Sequence, residues 1–134
     1  MLYLADTSAW NRSAHVADRW AELIEDDALA MCLPVFLELL YSARTRAEYR
    51  AIADDLRKFH DLPLNRQASR AAGRTQGALA QRSQHRGPTP VDLLVAAVAE
   101  VNDAVLLHYD RHFDAIRRVT GQPMEWLARR GSLG

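Results

Sequence analysis

Cysteine is almost missing from these 134 residues, with Cys32 the only one. No intramolecular disulfide or cysteine-rich zinc site can form, which favours a reducing cytosol as the working compartment. Lysine is equally scarce: Lys58 stands alone beside sixteen arginines. No apolar run approaches the roughly 20 residues that cross a bilayer, and Glu100 interrupts the stretch Leu94 to Val101. No membrane partner is expected. No basic segment precedes the apolar start Met1-Leu2-Tyr3-Leu4-Ala5, so this stretch is expected to be a first strand and not a signal peptide. Net charge is also absent, while 49% hydrophobic and 25% charged residues are the proportions of an ordinary globular chain. A chain of this length is expected to form one domain over residues 1–134 around a single core.

The zero net charge hides an uneven distribution. Residues 1–43 carry two basic side chains against seven acids, residues 44–86 ten against four, and residues 87–134 five against six. The middle third is a basic block, and arginine suits bidentate contacts to phosphate. Any one of these arginines is equally explained as solvated surface.

Hydrophobic spacing orders the rest, with no internal repeat or low-complexity tract. Short apolar runs predict strands at Leu2–Ala5, Ala28–Cys32, Leu62–Leu64, Val105–Tyr109 and, at an edge, Met124–Leu127. Helical stripes predict helices over His15–Asp26, Val35–Ala43 behind Pro34, the segment striped by Tyr49, Ile52, Leu56 and Phe59, and Arg66–Gln84 despite Gly73 and Gly77. His85-Arg86-Gly87-Pro88-Thr89-Pro90 is a loop, followed by a helix striped by Val91, Leu94, Val95, Val98 and Val101; another helix starts at Asp110. Alternating strands and helices predict an α/β fold, a central parallel sheet flanked by helices on both faces.

Four acids stand out against this pattern. Asp6 and Asp110 each follow a predicted strand, where open α/β sheets gather function, although aspartate there is also a good helix cap. Asp92, in Thr89-Pro90-Val91-Asp92, completes a capping box, yet the same turn can aim a carboxylate over the sheet edge. Glu38 lies among Val35, Phe36, Leu37, Leu39, Leu40 and Tyr41 with no basic residue one helical turn away. It is therefore expected to be buried and partnered by a metal ion or a distant arginine. Four like charges converging on one pocket need a cation. Hard carboxylate oxygens select Mg²⁺ or Mn²⁺ over zinc, and such sites suit phosphodiester cleavage.

The segments Leu4-Ala5-Asp6-Thr7-Ser8, Leu37-Glu38-Leu39, Thr89-Pro90-Val91-Asp92-Leu93-Leu94-Val95-Ala96-Ala97 and Tyr109-Asp110-Arg111-His112-Phe113 together resemble a PIN-domain ribonuclease, most closely the VapC toxins of bacterial toxin–antitoxin pairs. The resemblance spans essentially the whole chain. It implies a compact parallel-sheet fold and an endoribonuclease that cuts RNA with metal-activated water, leaving 5′-phosphate and 3′-hydroxyl ends. It makes Asp6, Asp92 and Asp110 the principal Mg²⁺ or Mn²⁺ ligands, with Glu38 completing the catalytic set and Thr7 or Ser8 orienting Asp6 or a bound water. A homodimer, inhibited by a small antitoxin that lays a helix in an apolar groove, follows from the same likeness. Many PIN domains carry a further acid two positions past Asp110, where this chain has His112; Asp114 lies a helical turn on.

Other readings fit less well. A haloacid-dehalogenase phosphatase needs a second aspartate where Ser8 stands, and a phosphoryl receiver needs a lysine late in the chain. His108 and His112 straddle a strand end, so their i, i+4 spacing does not make a helical zinc pair; structural or RNA-contacting roles suit them better. A housekeeping PIN nuclease and a non-catalytic PIN-like binding module remain as alternatives. Arg82, Arg86 and Arg111, beside the acids, are expected to contact RNA. The helix carrying Val35, Phe36, Leu39, Leu40 and Tyr41 has more apolar surface than one sheet face needs and is expected to meet a partner, with Trp10 and Trp20 as interface anchors. Leu37 and Leu40 are expected in the core.

Overall fold

A computed structural model describes residues 1–133. Five strands, β1 (Tyr3–Ala5), β2 (Leu29–Met31), β3 (His60–Asp61), β4 (Val105–His108) and β5 (Met124–Trp126), form one sheet in the order β3-β2-β1-β4-β5. All pairings are parallel. The helices are α1 (Thr7–Asn11), α2 (Ala17–Glu25), α3 (Leu33–Tyr41), α4 (Arg46–Leu56), α5 (Arg66–Gln81), α6 (Pro90–Val101) and α7 (His112–Thr120). This is the α/β architecture that the alternation predicts.

Strand residues divide between the two faces with the period of two that the pleat imposes. Leu4, Ala30 and Leu106 enter one core with α3, α5 and α6. Ala5, Leu29 and Leu107 enter a second with Ala9, Trp20 and Leu23. Because both faces are covered, β4 is buried at all four positions, as expected of an inner parallel strand. Along α5 the buried positions Ala68, Ala71, Ala72, Thr75 and Leu79 are mostly small, which lets α6 approach closely. The helix runs unbroken through Gly73 and Gly77 and stops at Gln81, where Ser83 adopts a left-handed φ of 57°.

Four expectations need correction. The third strand is His60–Asp61 and not Leu62–Leu64. Pro63 has no N–H to donate, so the ladder ends with the Leu62 N–H on the Met31 carbonyl at 2.8 Å. The segment His15–Asp26 divides into a 3-10 turn, Ser13–Val16, and α2. Of the two tryptophans Trp20 is buried, and Trp10, half-buried, packs edge-on against Trp20 and Phe59 at 4.9 and 5.3 Å. Conversely Leu37, with Leu33 and Tyr41, is exposed on α3, whereas Leu40 is in the core as expected.

Candidate active site

The strand order sets the position of the site. The chain winds outward from β1 through β2 to β3, then returns to the other side of β1 for β4 and β5. The reversal falls between β1 and β4, and the crevice outside the carboxyl ends of such strands is where open α/β sheets bind ligands. Asp6 directly follows β1, and Asp110 lies two residues beyond β4. The crevice is therefore acidic from both walls.

Each acid is held by short local bonds. Asp6 is 5% exposed. As the N-cap of α1 its Oδ1 accepts from the Ala9 N–H at 3.1 Å and from the Ser8 hydroxyl at 2.6 Å. Both bonds fall on one oxygen, which leaves Oδ2 available to a ligand. Asp92 is half-buried in the predicted capping box: its N–H donates to Thr89 Oγ1 at 3.1 Å and its Oδ2 accepts from the Thr89 N–H at 2.9 Å. Asp110 Oδ1 accepts from the His112 N–H at 2.9 Å. The capping roles of Asp6 and Asp92 are real, whereas α7 is capped at Arg111 and Asp110 only closes a turn before it; each bond set occupies one carboxylate oxygen.

Glu38 departs from expectation. Its side chain is exposed, on the same flank of α3 as Leu37 and Tyr41, and it accepts a 2.6 Å bond from the Thr7 hydroxyl. The apolar neighbours that suggested burial are partly a surface. Ser8 steadies Asp6, while Thr7 steadies Glu38.

Electrostatics connect the four. Burial pushes the Asp6 carboxyl up to about 7, and the charge of Asp92 adds to that. Burial likewise raises Asp92, with Asp110 and Glu38 contributing. None of the four takes part in an ion pair among the described residues. Nor are any three histidine, cysteine or acidic side chains there gathered tightly enough to enclose an ion by themselves. An open set of unpaired hard oxygens fits Mg²⁺ or Mn²⁺, which bind through a few carboxylates and keep several waters. Cys32, at the end of β2, is no nucleophile: burial pushes its thiol up to about 11, with Asp61, Asp6 and Glu38 adding to the effect.

Two positioning contacts were invisible in the sequence, because they join segments a hundred residues apart or depend on a buried ring. Ser8 Oγ also accepts from the Tyr109 N–H at 2.8 Å, so one hydroxyl ties the Asp6 turn to the end of β4. His108 is 1% exposed, packs near Phe113 and Trp126, and its Nδ1 accepts from the Asp110 N–H at 3.2 Å. Burial holds that imidazole neutral, pushed down to about 4. Ser8→Ala leaves the Tyr109 N–H without its partner, at a cost of about 1–3 kcal/mol, and frees Asp6. Melting temperature is expected to fall by several degrees and cleavage by about 10–100-fold, the usual penalty for losing a residue that orients a ligand. Assaying both on one preparation checks this; an unchanged rate would make the contact purely structural.

The candidates around the acids separate. Arg111 lines a polar cleft beside Asp110 together with His112, whereas Arg82 and Arg86 are exposed on the turn after α5, outside that lining. Asp114 does not join the acids: it accepts from the Trp126 indole at 3.1 Å and pairs with Arg130 at 3.7 Å. On the opposite flank, Leu33, Leu37, Tyr41, Leu64 and Leu94 line an apolar groove of about 530 Å³ that also takes in Thr7 and Glu38.

Comparison with known proteins agrees with this geometry. Residues 3–119 match the family described as the PIN domain. The chain is 37% identical to ribonuclease VapC18 of Mycobacterium tuberculosis over 99% of this chain and 100% of that one. It is 40% identical to ribonuclease VapC51 of the same organism, over 98% and 96%. Among solved structures, DNA-bound VapBC from Salmonella typhimurium superimposes with a TM-score of 0.75 at 21% identity, covering 96% of this chain and 100% of that one. VapBC-1 from nontypeable Haemophilus influenzae gives 0.76 at 23%, covering 95% and 98%. With Asp6 and Asp110 following the two strands at the sheet's reversal, a PIN-domain match over residues 3–119 and 37–40% identity to these ribonucleases over nearly the whole chain, the chain belongs to the PIN-domain family, in its VapC ribonuclease branch.

Proposed function

We propose that this chain is a divalent-metal-dependent endoribonuclease that serves as the toxin of a toxin–antitoxin pair in the cytoplasm. The observation that carries the reading is Asp6 and Asp110 at the β1 and β4 ends with Asp92 and Glu38 close enough to couple by charge, none of the four ion-paired among the described residues, Asp6 buried and Asp92 half-buried with their pKa values pushed up. Asp6, Asp92 and Asp110 would hold Mg²⁺ or Mn²⁺, with Glu38 completing the set, and the chemistry such an ion would supply is activation of water and stabilisation of charge on the attacked phosphate. The chain's own residues fix the geometry: Ser8 and the Ala9 N–H orient Asp6, Thr89 orients Asp92, Thr7 orients Glu38, and His108 orients the Asp110 backbone.

In this reading water, and not the ribose 2′-hydroxyl, is the nucleophile, because the carboxylates would hold the ion that activates it. His108 is no base for the 2′-hydroxyl, being buried with its Nδ1 occupied. Hydrolysis of single-stranded or looped RNA is thus expected to leave 5′-phosphate and 3′-hydroxyl ends and to stop in excess EDTA. Mass spectrometry of the fragments checks the ends. A 2′,3′-cyclic phosphate, or full activity without metal, would overturn the mechanism.

The apolar groove beside Glu38 favours a toxin over a housekeeping nuclease. A surface of Leu33, Leu37 and Tyr41, with Tyr41 92% exposed, suits an amphipathic helix laid in a groove. An antitoxin seated there can bring a basic side chain to the acids, replacing the cation's charge. The toxin itself is a homodimer in this reading, which light scattering across a wide concentration range tests.

A further inference from the structure

The polar cleft on the other flank of the acids has a composition of its own. It encloses about 360 Å³ between the turn Ser83–Pro88 and α7, and Arg111, His112, Arg118 and Arg130 line it with a single acid, Asp114. Asp114 is committed, to the Trp126 indole and to Arg130. The guanidinium groups of Arg111 and Arg118 make no ion pair or hydrogen bond among the described residues. Gly87 lets the imidazole of His112 lie against the turn, since a β-carbon there would stand 3.3 Å from His112 Nδ1. Two uncommitted guanidinium groups and an imidazole in one concave site select an anion, and the planar guanidinium fork matches phosphate oxygens.

Both walls of the cleft run directly into the acidic crevice. The turn ends at Pro88, and the next residue, Thr89, donates its N–H to Asp92. On the other wall Arg111 follows Asp110, and the His112 N–H bonds the Asp110 carboxylate. A strand with one phosphate at the acids has a neighbouring phosphate within reach of this cleft. The apolar groove on the Glu38 side offers no such charge. We propose that the cleft is a backbone-phosphate subsite for the RNA, which seats a phosphodiester adjacent to the cut one through Arg111 and Arg118. This rests on the ribonuclease reading. Contacts of this kind fix register and carry no base preference.

The test is binding of a short fluorescent single-stranded RNA to the full chain in EDTA, across a range of salt concentrations. Arg111→Gln with Arg118→Gln is expected to flatten the plot of log affinity against log salt by about 0.7 per lost contact, about 1.4 for the pair. Arg118→Lys, which keeps the charge, is expected to restore its share of the slope. If the double variant leaves the slope unchanged while the wild-type protein cuts RNA, the subsite is overturned and the ribonuclease reading stands. The subsite also fails if inorganic phosphate shifts the His112 resonances but the RNA slope does not respond, since the cleft then takes free phosphate. A wild-type protein that neither binds nor cuts RNA overturns both.

Discussion

Asp6→Asn is expected to abolish RNA cleavage and, in the same molecule, to raise the melting temperature of the metal-free protein. Loss of a metal-binding oxygen removes several kcal/mol of transition-state stabilisation, on the order of a thousandfold in rate at about 1.4 kcal/mol per factor of ten. The fold, in contrast, gains. Both bonds to Asp6 land on Oδ1, so the carboxamide oxygen of asparagine can accept them unchanged. What disappears is the cost of burying a carboxylate beside Asp92. That carboxyl loses its proton near 3.8 in the unfolded chain and near 7 in the folded one. At about 1.36 kcal/mol per pKa unit, the cost at pH 8 is at most about 4 kcal/mol. Half of that would raise the melting temperature by roughly 7 °C in a domain of this size. Asp92→Asn keeps the capping box and should likewise be inactive. If capping were the only role of these residues, both variants would remain active, because asparagine caps helices about as well as aspartate.

The pH dependence of stability separates this effect from ordinary packing. Between about pH 4 and 7 the folded chain keeps a proton on Asp6 that the unfolded chain has lost, so the Asp6 contribution falls as pH rises through that window. His108 acts in the opposite sense. Its imidazole is pushed down to about 4 by burial, against 6.5 when unfolded, so its contribution is complete above 6.5 and is lost as pH falls towards 4. In the wild-type protein the two slopes oppose each other between about 4 and 6.5. Asp92, also raised by burial, acts in the same sense as Asp6. Asp6→Asn removes only the Asp6 part, so the variant should gain stability relative to wild type as pH rises from about 4 to 7 and keep that difference above it. Chemical denaturation at several pH values in EDTA measures this, and a variant profile parallel to wild type would rule out Asp6 as the source.

What the sequence made legible follows the strength of local signals. Asp6 and Asp110 were located by strand–helix alternation alone, because parallel strands end on one edge of the sheet. Asp92 was located by Thr89 and Pro90, whose capping chemistry is contained within four residues. The errors came where tertiary context decides. The surplus apolar surface expected of this helix is there at Tyr41, but Glu38 and Leu37, expected inside, are exposed, because the helix covers the sheet with Val35 and Leu40. Trp20, expected at an interface, is buried and Trp10 is half-buried beside it, because α1 and α2 fold over one face of the sheet. Hydrophobicity without topology cannot say which of these apolar side chains face the sheet. Ser8 with Tyr109, and Arg118 with Arg130, meet only through the fold.

Leu37→Ser with Tyr41→Ser is expected to release the toxin from its antitoxin while leaving RNA cleavage intact. Both side chains are exposed, at 53% and 92%, and make no hydrogen bond to any of the four acids, so their truncation should change stability by under about 0.5 kcal/mol. A docked helix would bury them at the centre of the groove that also takes in Leu64 and Leu94. Truncating such central apolar anchors typically costs about 2–4 kcal/mol, a loss of roughly 30- to 1000-fold in affinity. Polar substitution is chosen over a charge because a lysine here could reach Glu38 and mimic an inhibitory side chain, and an aspartate would add to the carboxylate repulsion. Titration of the purified cognate antitoxin into wild-type and variant protein, followed by calorimetry and by residual cleavage, reads both effects at once. Wild-type cleavage should fall to background at equimolar partner, and variant cleavage should persist well beyond it. A variant bound and silenced as tightly as wild type would move the antitoxin to another face. A partner that leaves wild-type cleavage untouched would turn the reading towards a housekeeping nuclease.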